Sequence, residues 1–137
     1  MKRIVIYGLG SIGCKHFNLI RKYFPNVEIG VIRSGNGLMN NESCKADQYF
    51  KNSKEALNWP AEAAIISSPA SYHFDHSIAF IKNGLTTLIE KPLDLDFANL
   101  KRWDNLEKLS KNSKILVGYV LRHDPAIKYI KNWLKNK

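Results

Sequence analysis

The sequence predicts a doubly wound α/β fold: about six parallel strands, with helices on both faces of the sheet. Three observations carry that expectation. Strand-like and helix-like segments alternate along all 137 residues, with no internal repeat and no linker. The strand segments read as short continuous apolar runs, as they do in sheets buried on both faces, rather than as alternating apolar and polar positions. The first strand runs directly into Gly8-Leu9-Gly10-Ser11-Ile12-Gly13, and a helical pattern opens at once after it.

That opening stretch organises the rest. Ile4-Val5-Ile6 reads as a buried strand ending in Tyr7. Gly8 lets the chain turn sharply off it. Gly10 has no Cβ, so a pyrophosphate can approach the backbone. Gly13 lets the helix pack closely on the strand. The N–H groups of the helix's first turn, around Ser11 and Ile12, have no intrahelical partners and point at an anion, with the helix dipole adding to the attraction. A glycine triplet between a strand and a helix in this way points to dinucleotide binding.

The first helix is expected from about 11 to 24, with Ile12, His16, Leu19, Ile20 and Tyr23 on its apolar face, and Pro25-Asn26 stops it. A second strand follows over 27–32 and ends at Arg33-Ser34. The acidic residue that binds a ribose 2′-hydroxyl in NAD sites falls about 20 residues past the glycines, and here that place is held by a cation and a hydroxyl. A guanidinium makes forked, charge-assisted contacts with phosphate, so Arg33 and Ser34 favour NADP over NAD. Residues 35–53 are polar and glycine-bearing; a short third strand is expected within 46–50, and the remainder suits a loop over the adenosine end.

A short helix over 53–59 stops at Pro60. Ala63-Ala64-Ile65-Ile66 is a fourth strand, ending in Ser67-Ser68-Pro69. Ser71 is expected to cap the next helix, with Phe74, Ile78 and Ile81 inward and Asn83-Gly84 closing it. Thr86-Thr87-Leu88-Ile89 is a fifth strand, ending in Glu90-Lys91-Pro92. Ligands of such sheets sit at the carboxyl ends of the strands, which brings both polar exits into the candidate site. Asp94 or Asp96 is expected to open a longer helix with Phe97, Leu100, Trp103 and Leu106 on its apolar side. Ile115-Leu116-Val117 is a sixth strand leaving through Gly118-Tyr119. Pro125 starts a last helix, with Ile127, Ile130 and Leu134 on one side and Lys128, Lys131 and Lys135 around it.

Composition is ordinary for a globular domain, at 45% apolar and 24% charged residues. The chain is long enough for one domain with a true core. No apolar run is long enough to span a bilayer. Lys2 and Arg3 precede an apolar segment too short, and too soon broken by glycines, for a signal peptide. Cys14 and Cys44 lack metal-ligand spacing and read as free thiols of a reducing cytoplasm. The net charge of +9 is concentrated at the end, where residues 101–137 hold ten Lys or Arg against three Asp or Glu. No base-reading motif accompanies that excess, so it reads as solvated surface and not as a nucleic-acid interface. His73 and His76 lie three apart, but no carboxylate or thiol completes a ligand set, and no metal is expected.

Four motifs then coincide in order: Gly8 to Gly13 followed by His16, Ser68-Pro69-Ala70-Ser71-Tyr72-His73, Gly84 to Glu90-Lys91-Pro92, and Gly118-Tyr119 with Arg122 and Pro125. Together they resemble the cofactor-binding half of the glucose–fructose oxidoreductase/inositol dehydrogenase (Gfo/Idh/MocA) family. Ser68 and Ala70 stand where the family has Thr and Asn, and His123 where it has an aromatic residue. The resemblance implies a Rossmann-type domain over 1–137 that binds NADP or NAD through Gly8, Gly10, Ser11, Ile12, Gly13, Arg33, Ser34, Ser67, Ser68, Pro69, His73, Glu90 and Lys91. It implies Lys91 as the catalytic group, trading a proton with the reacting oxygen of a sugar, polyol or nucleotide-sugar while the nicotinamide carries the hydride. Family members continue into a second α+β domain that covers the substrate. The chain is therefore expected to be a fragment that binds cofactor but turns over little, with an apolar surface where that domain sits and a tendency to self-associate. The competing reading is a non-catalytic domain that senses a dinucleotide and reports it to a partner.

Overall fold

A computed structural model describes residues 1–33, 45–95, 98, 100–109 and 113–135. Ser34, Asp96 and Phe97, named above, lie outside the described residues, as does most of the polar stretch beginning at 35.

The elements run β1 (Arg3–Tyr7), α1 (Ser11–Tyr23), β2 (Glu28–Ile32), β3 (Gln48–Phe50), α2 (Ser53–Leu57), β4 (Ala63–Ile66), α3 (His73–Lys82), β5 (Thr86–Ile89), α4 (Leu100–Leu109), β6 (Ile115–Val117) and α5 (Pro125–Lys135). The six strands form one sheet in the order β3-β2-β1-β4-β5-β6, and every pairing is parallel. The order reverses direction between β1 and β4, which creates a crevice at their carboxyl ends.

The run of apolar residues in β1 is explained by a core on each face of the sheet. Ile4 and Ile6 pack with Phe17 and Ile20 of α1, with Ile29 and Val31 of β2, and with Ala63 and Ile65 of β4. Val5 points the other way, into a core built from Ile32, Ala64, Ile66 and Ile89, Phe80 and Ile81 of α3, and Trp103 and Leu106 of α4. Alternate residues along each strand thus serve opposite layers.

Three local expectations need correction. The buried face of α1 is Gly13, Cys14, Phe17 and Ile20, whereas Ile12, Leu19 and Tyr23 are exposed. Close packing at Gly13 sets the phase, so the residues four and seven positions later turn inward with it. Ser71 does not cap α3. Tyr72 N–H donates to the Pro69 carbonyl and tightens Ala70–Tyr72 into a 3-10 turn, so the cap position falls on Tyr72. Asp94 does not open α4, which begins at Leu100. Instead its carboxylate accepts from Arg102 Nε and from Trp103 Nε1 at 2.8 Å, and so pins the helix from the side.

The helix α5 has no buried residue. Ile127, Ile130, Trp133 and Leu134 are all exposed, as are Leu116, Val120 and Leu121 nearby in sequence. These residues give the C-terminal part of the described chain an exposed apolar surface. Among the described residues, no helix is long and apolar enough to cross a membrane.

Candidate functional site: the carboxyl edge of the sheet

The glycine turn is fixed by neighbours on both sides. Gly8 adopts φ +90°, where side chains are disfavoured. Its N–H donates to the Ile32 carbonyl at 3.0 Å, which ties the turn to the end of β2. From β4, the Ser67 hydroxyl donates to the Gly8 carbonyl at 2.8 Å, with the Tyr7 carbonyl at 3.1 Å. Ser67 is therefore spent on holding the turn. A Cβ on Gly13 would lie 2.1 Å from the Gly8 carbonyl oxygen, so only glycine lets α1 start this close to the turn.

Gly10 is different. A Cβ there would meet nothing within 4 Å, and the residue is exposed. No side chain caps α1 at Gly10. The first-turn amides of a helix have no intrahelical acceptor, so those of Ser11, Ile12 and Gly13 present donors beside an open approach. The residues present fit a pyrophosphate at this place. Arg33, half-buried, stands one residue beyond β2, directly after the carbonyl that holds Gly8.

On the β4 side, Ser68 is half-buried and its hydroxyl lies 2.9 Å from His76 Nδ1. The His76 ring stacks on Tyr7 at 3.8 Å between centroids, with Tyr72 on a further parallel ring at 5.4 Å. Burial pushes the His76 pKa below the usual histidine value, the neighbouring His73 adds to the effect, and Asp75 opposes it. Burial likewise raises the Tyr7 phenol, against a hydrogen bond with Ser53. Pro69 is exposed at the turn.

The ring of His73 is 1% exposed. Nδ1 lies 2.8 Å from the Pro92 carbonyl and Nε2 lies 2.9 Å from the Ser68 carbonyl. Each nitrogen thus faces a backbone carbonyl, and the ring donates to whichever carbonyl its N–H points at. Glu90 is buried at the end of β5, its Oε1 2.7 Å from His16 Nε2. Lys91 follows it, exposed, ahead of a cis bond to Pro92. Among the described residues, no group of three His, Cys, Asp or Glu side chains is placed to hold a metal ion.

Two contributors were not legible from the motifs. Spacing alone pairs His76 with His73, yet the two rings serve different neighbours. Gly118 opens the fourth motif and is a strand exit, but nothing in that motif points to Glu90. Parallel register is the signal that finds it: Ile89 pairs with Val117, so Glu90 and Gly118 come opposite each other next. A Cβ on Gly118 would press on the Glu90 carboxyl at 3.2 Å.

Comparison with known proteins agrees with this fold. The chain is 29% identical over 129 residues to scyllo-inositol 2-dehydrogenase (NAD(+)) of Bacillus subtilis, covering 90% of this chain and 37% of that protein. It is 27% identical over 127 residues to inositol 2-dehydrogenase of Corynebacterium glutamicum, covering 90% and 38% respectively. The chain thus spans roughly two-fifths of the length of these curated relatives. The structure of scyllo-inositol dehydrogenase from Lactobacillus casei with bound NAD(H) and scyllo-inositol superposes with a TM-score of 0.85 at 19% identity, over 99% of this chain and 41% of that one. That of myo-inositol 2-dehydrogenase from Lactobacillus plantarum gives 0.84 at 23% identity, over 98% and 41%. The model of the Gfo/Idh/MocA oxidoreductase family, NAD-binding Rossmann fold, matches residues 2–119, and the chain belongs to that family.

Proposed function

We propose that residues 1–137 form the cofactor-binding domain of an oxidoreductase that moves a hydride between a nicotinamide dinucleotide and a polyol, sugar or nucleotide-sugar, acting in the cytoplasm. The observation that carries this reading is the open approach at Gly10 beside the first-turn amides of α1, with Lys91 at the same edge of the sheet. The substrate class is supported by the names of the relatives, which are inositol dehydrogenases.

In this reading the amides of Ser11, Ile12 and Gly13 hold the pyrophosphate. Arg33, with Ser34, selects a 2′-phosphate and so favours NADP over NAD. The turn at Ser67, Ser68 and Pro69 and the segment at Glu90 and Lys91 bracket the nicotinamide end. The bound nicotinamide supplies hydride chemistry. Lys91 holds the reacting oxygen and exchanges a proton with it, so that charge does not build up there as the bond to hydrogen changes. A second domain, such as the relatives' extra length accommodates, would exclude water and complete the substrate pocket.

The test uses the full-length protein containing this chain, with NADP or NAD and a panel of inositols, sugars and nucleotide-sugars, followed by nicotinamide absorbance. Turnover is expected on a member of that panel. Lys91→Met is expected to keep dinucleotide affinity while kcat falls by about a hundredfold or more. Unchanged turnover in Lys91→Met would remove the catalytic assignment.

A further inference from the structure

Lys91 is an exposed residue between two that are gripped. Before it, Glu90 is 6% exposed, its carboxylate is bonded to His16 at 2.7 Å, and its Oε2 accepts the Lys91 N–H at 3.3 Å. Gly118 closes the other side of that carboxylate. After it, the Pro92 carbonyl lies 2.8 Å from His73 Nδ1, which donates to it when it carries the ring's N–H, and the Ser68 carbonyl lies 2.9 Å from Nε2.

The two histidines come from opposite layers. His16 lies on α1, whose Phe17 and Ile20 belong to one core, and His73 on α3, whose Phe80 and Ile81 belong to the other. The segment that carries Lys91 is therefore tied to both helical layers, one bond on each side of the lysine. The buried His73 ring also sits between the turn after β4 and the turn after β5.

We infer that His16 and His73 are positioning residues for Lys91, acting through Glu90 and through the Pro92 carbonyl. The inference deepens the proposed function and rests on its assignment of Lys91. The chemistry of the imidazole explains the choice at each place. His73 brings ring nitrogens within hydrogen-bond distance of two carbonyls at opposite edges of a rigid ring and donates from the one that carries the N–H, a placement that a side-chain amide, with both its N–H groups on one nitrogen, does not reproduce. His16 makes a single bond from Nε2, which a glutamine amide can replace. The two sites should therefore differ in rescue: His16→Gln restores function, and His73→Gln does not.

Two measurements test this. In the 137-residue chain without ligand, His16→Ala should speed hydrogen exchange at the Lys91 amide about tenfold relative to the Ile6 amide in β1, and His16→Gln should stay within about threefold of the parent. An unchanged Lys91 amide, or acceleration of Ile6 and Lys91 together, overturns the inference, because the effect would then be absent or merely one of global stability. In the full-length protein, His16→Ala and His73→Gln should each lower kcat by about tenfold to a hundredfold with KM within about threefold, and His16→Gln should recover most of the loss. Equal rescue by glutamine at both sites, or a loss confined to KM, contradicts it. Loss of the Lys91 assignment would show separately, as an active Lys91→Met, while the exchange experiment still decides the positioning of the segment.

Discussion

The missing Cβ of Gly13 and the carbonyl oxygen of Gly8 occupy nearly the same space: 2.1 Å would separate them if Gly13 were alanine. The glycine turn and the helix behind it are thus one packed unit. Gly13→Ala should force α1 away from the turn and destabilise the chain by about 1–3 kcal/mol, as overpacking does. It should also abolish dinucleotide binding. Gly10→Ala meets open space, so stability should stay within about 1 kcal/mol while binding weakens. Urea unfolding with dinucleotide titration on both variants separates the two effects.

Asp94 anchors α4 through a side chain that is only 5% exposed, accepting from Arg102 Nη2 at 2.7 Å and from the buried Trp103 indole at 2.8 Å. Asp94→Ala leaves that indole N–H without its acceptor and should cost about 2–3 kcal/mol. Trp103→Phe in the Asp94→Ala background should cost less than the sum of the two single changes, because it removes the orphaned donor. Additive losses in thermal or urea unfolding would contradict the pairing.

His76 has a folded-state pKa below its ordinary value near 6.5, chiefly because it is buried. Between that lowered value and 6.5 the unfolded chain binds more protons than the folded one, so stability should rise with pH across this window and be fully present above it. His76→Gln should flatten that rise. Asp47 lies below its usual 3.8: burial opposes ionisation, but the Ile29 amide and the Arg21 guanidinium outweigh it. Its contribution is present above 3.8 and lost as pH falls below. Unfolding curves from neutral to acid pH should therefore show two separable losses, and Asp47→Asn should remove the lower one.

In the proposed reading, Arg33 selects between the two ribose forms. Arg33→Asp should move the NADPH-to-NADH affinity ratio toward NADH by about tenfold or more, since it exchanges a phosphate-binding cation for a hydroxyl-binding acid. An unchanged ratio in paired titrations would show that Arg33 takes no part in the choice.

Much of this arrangement was legible before any coordinates, for a physical reason. Ala63-Ala64-Ile65-Ile66 and Thr86-Thr87-Leu88-Ile89 have no polar face to misplace, so their strands were bounded correctly by composition and flanking turns. The glycine spacing was readable because each glycine answers a different steric demand. Helix phase was not readable in α1, where apolar residues fall on both sides and a packing contact at Gly13 decides between them. The Ser71 cap failed because a 3-10 turn after Pro69 shifted the start of α3. The histidine bridges were invisible because they link residues 19 and 74 positions apart, through acceptors that depend on how the strands end.

The proposed function requires that the amides after Gly10 receive a dinucleotide pyrophosphate. Amide chemical shifts of the 137-residue chain, followed during titration with NADPH and with NADH, test it most directly. Saturable shifts are expected, concentrated at Gly8, Gly10 to Gly13, Arg33, Ser68 and Lys91. Saturation with those amides unmoved and the shifts gathered elsewhere, for example along α5, would contradict it.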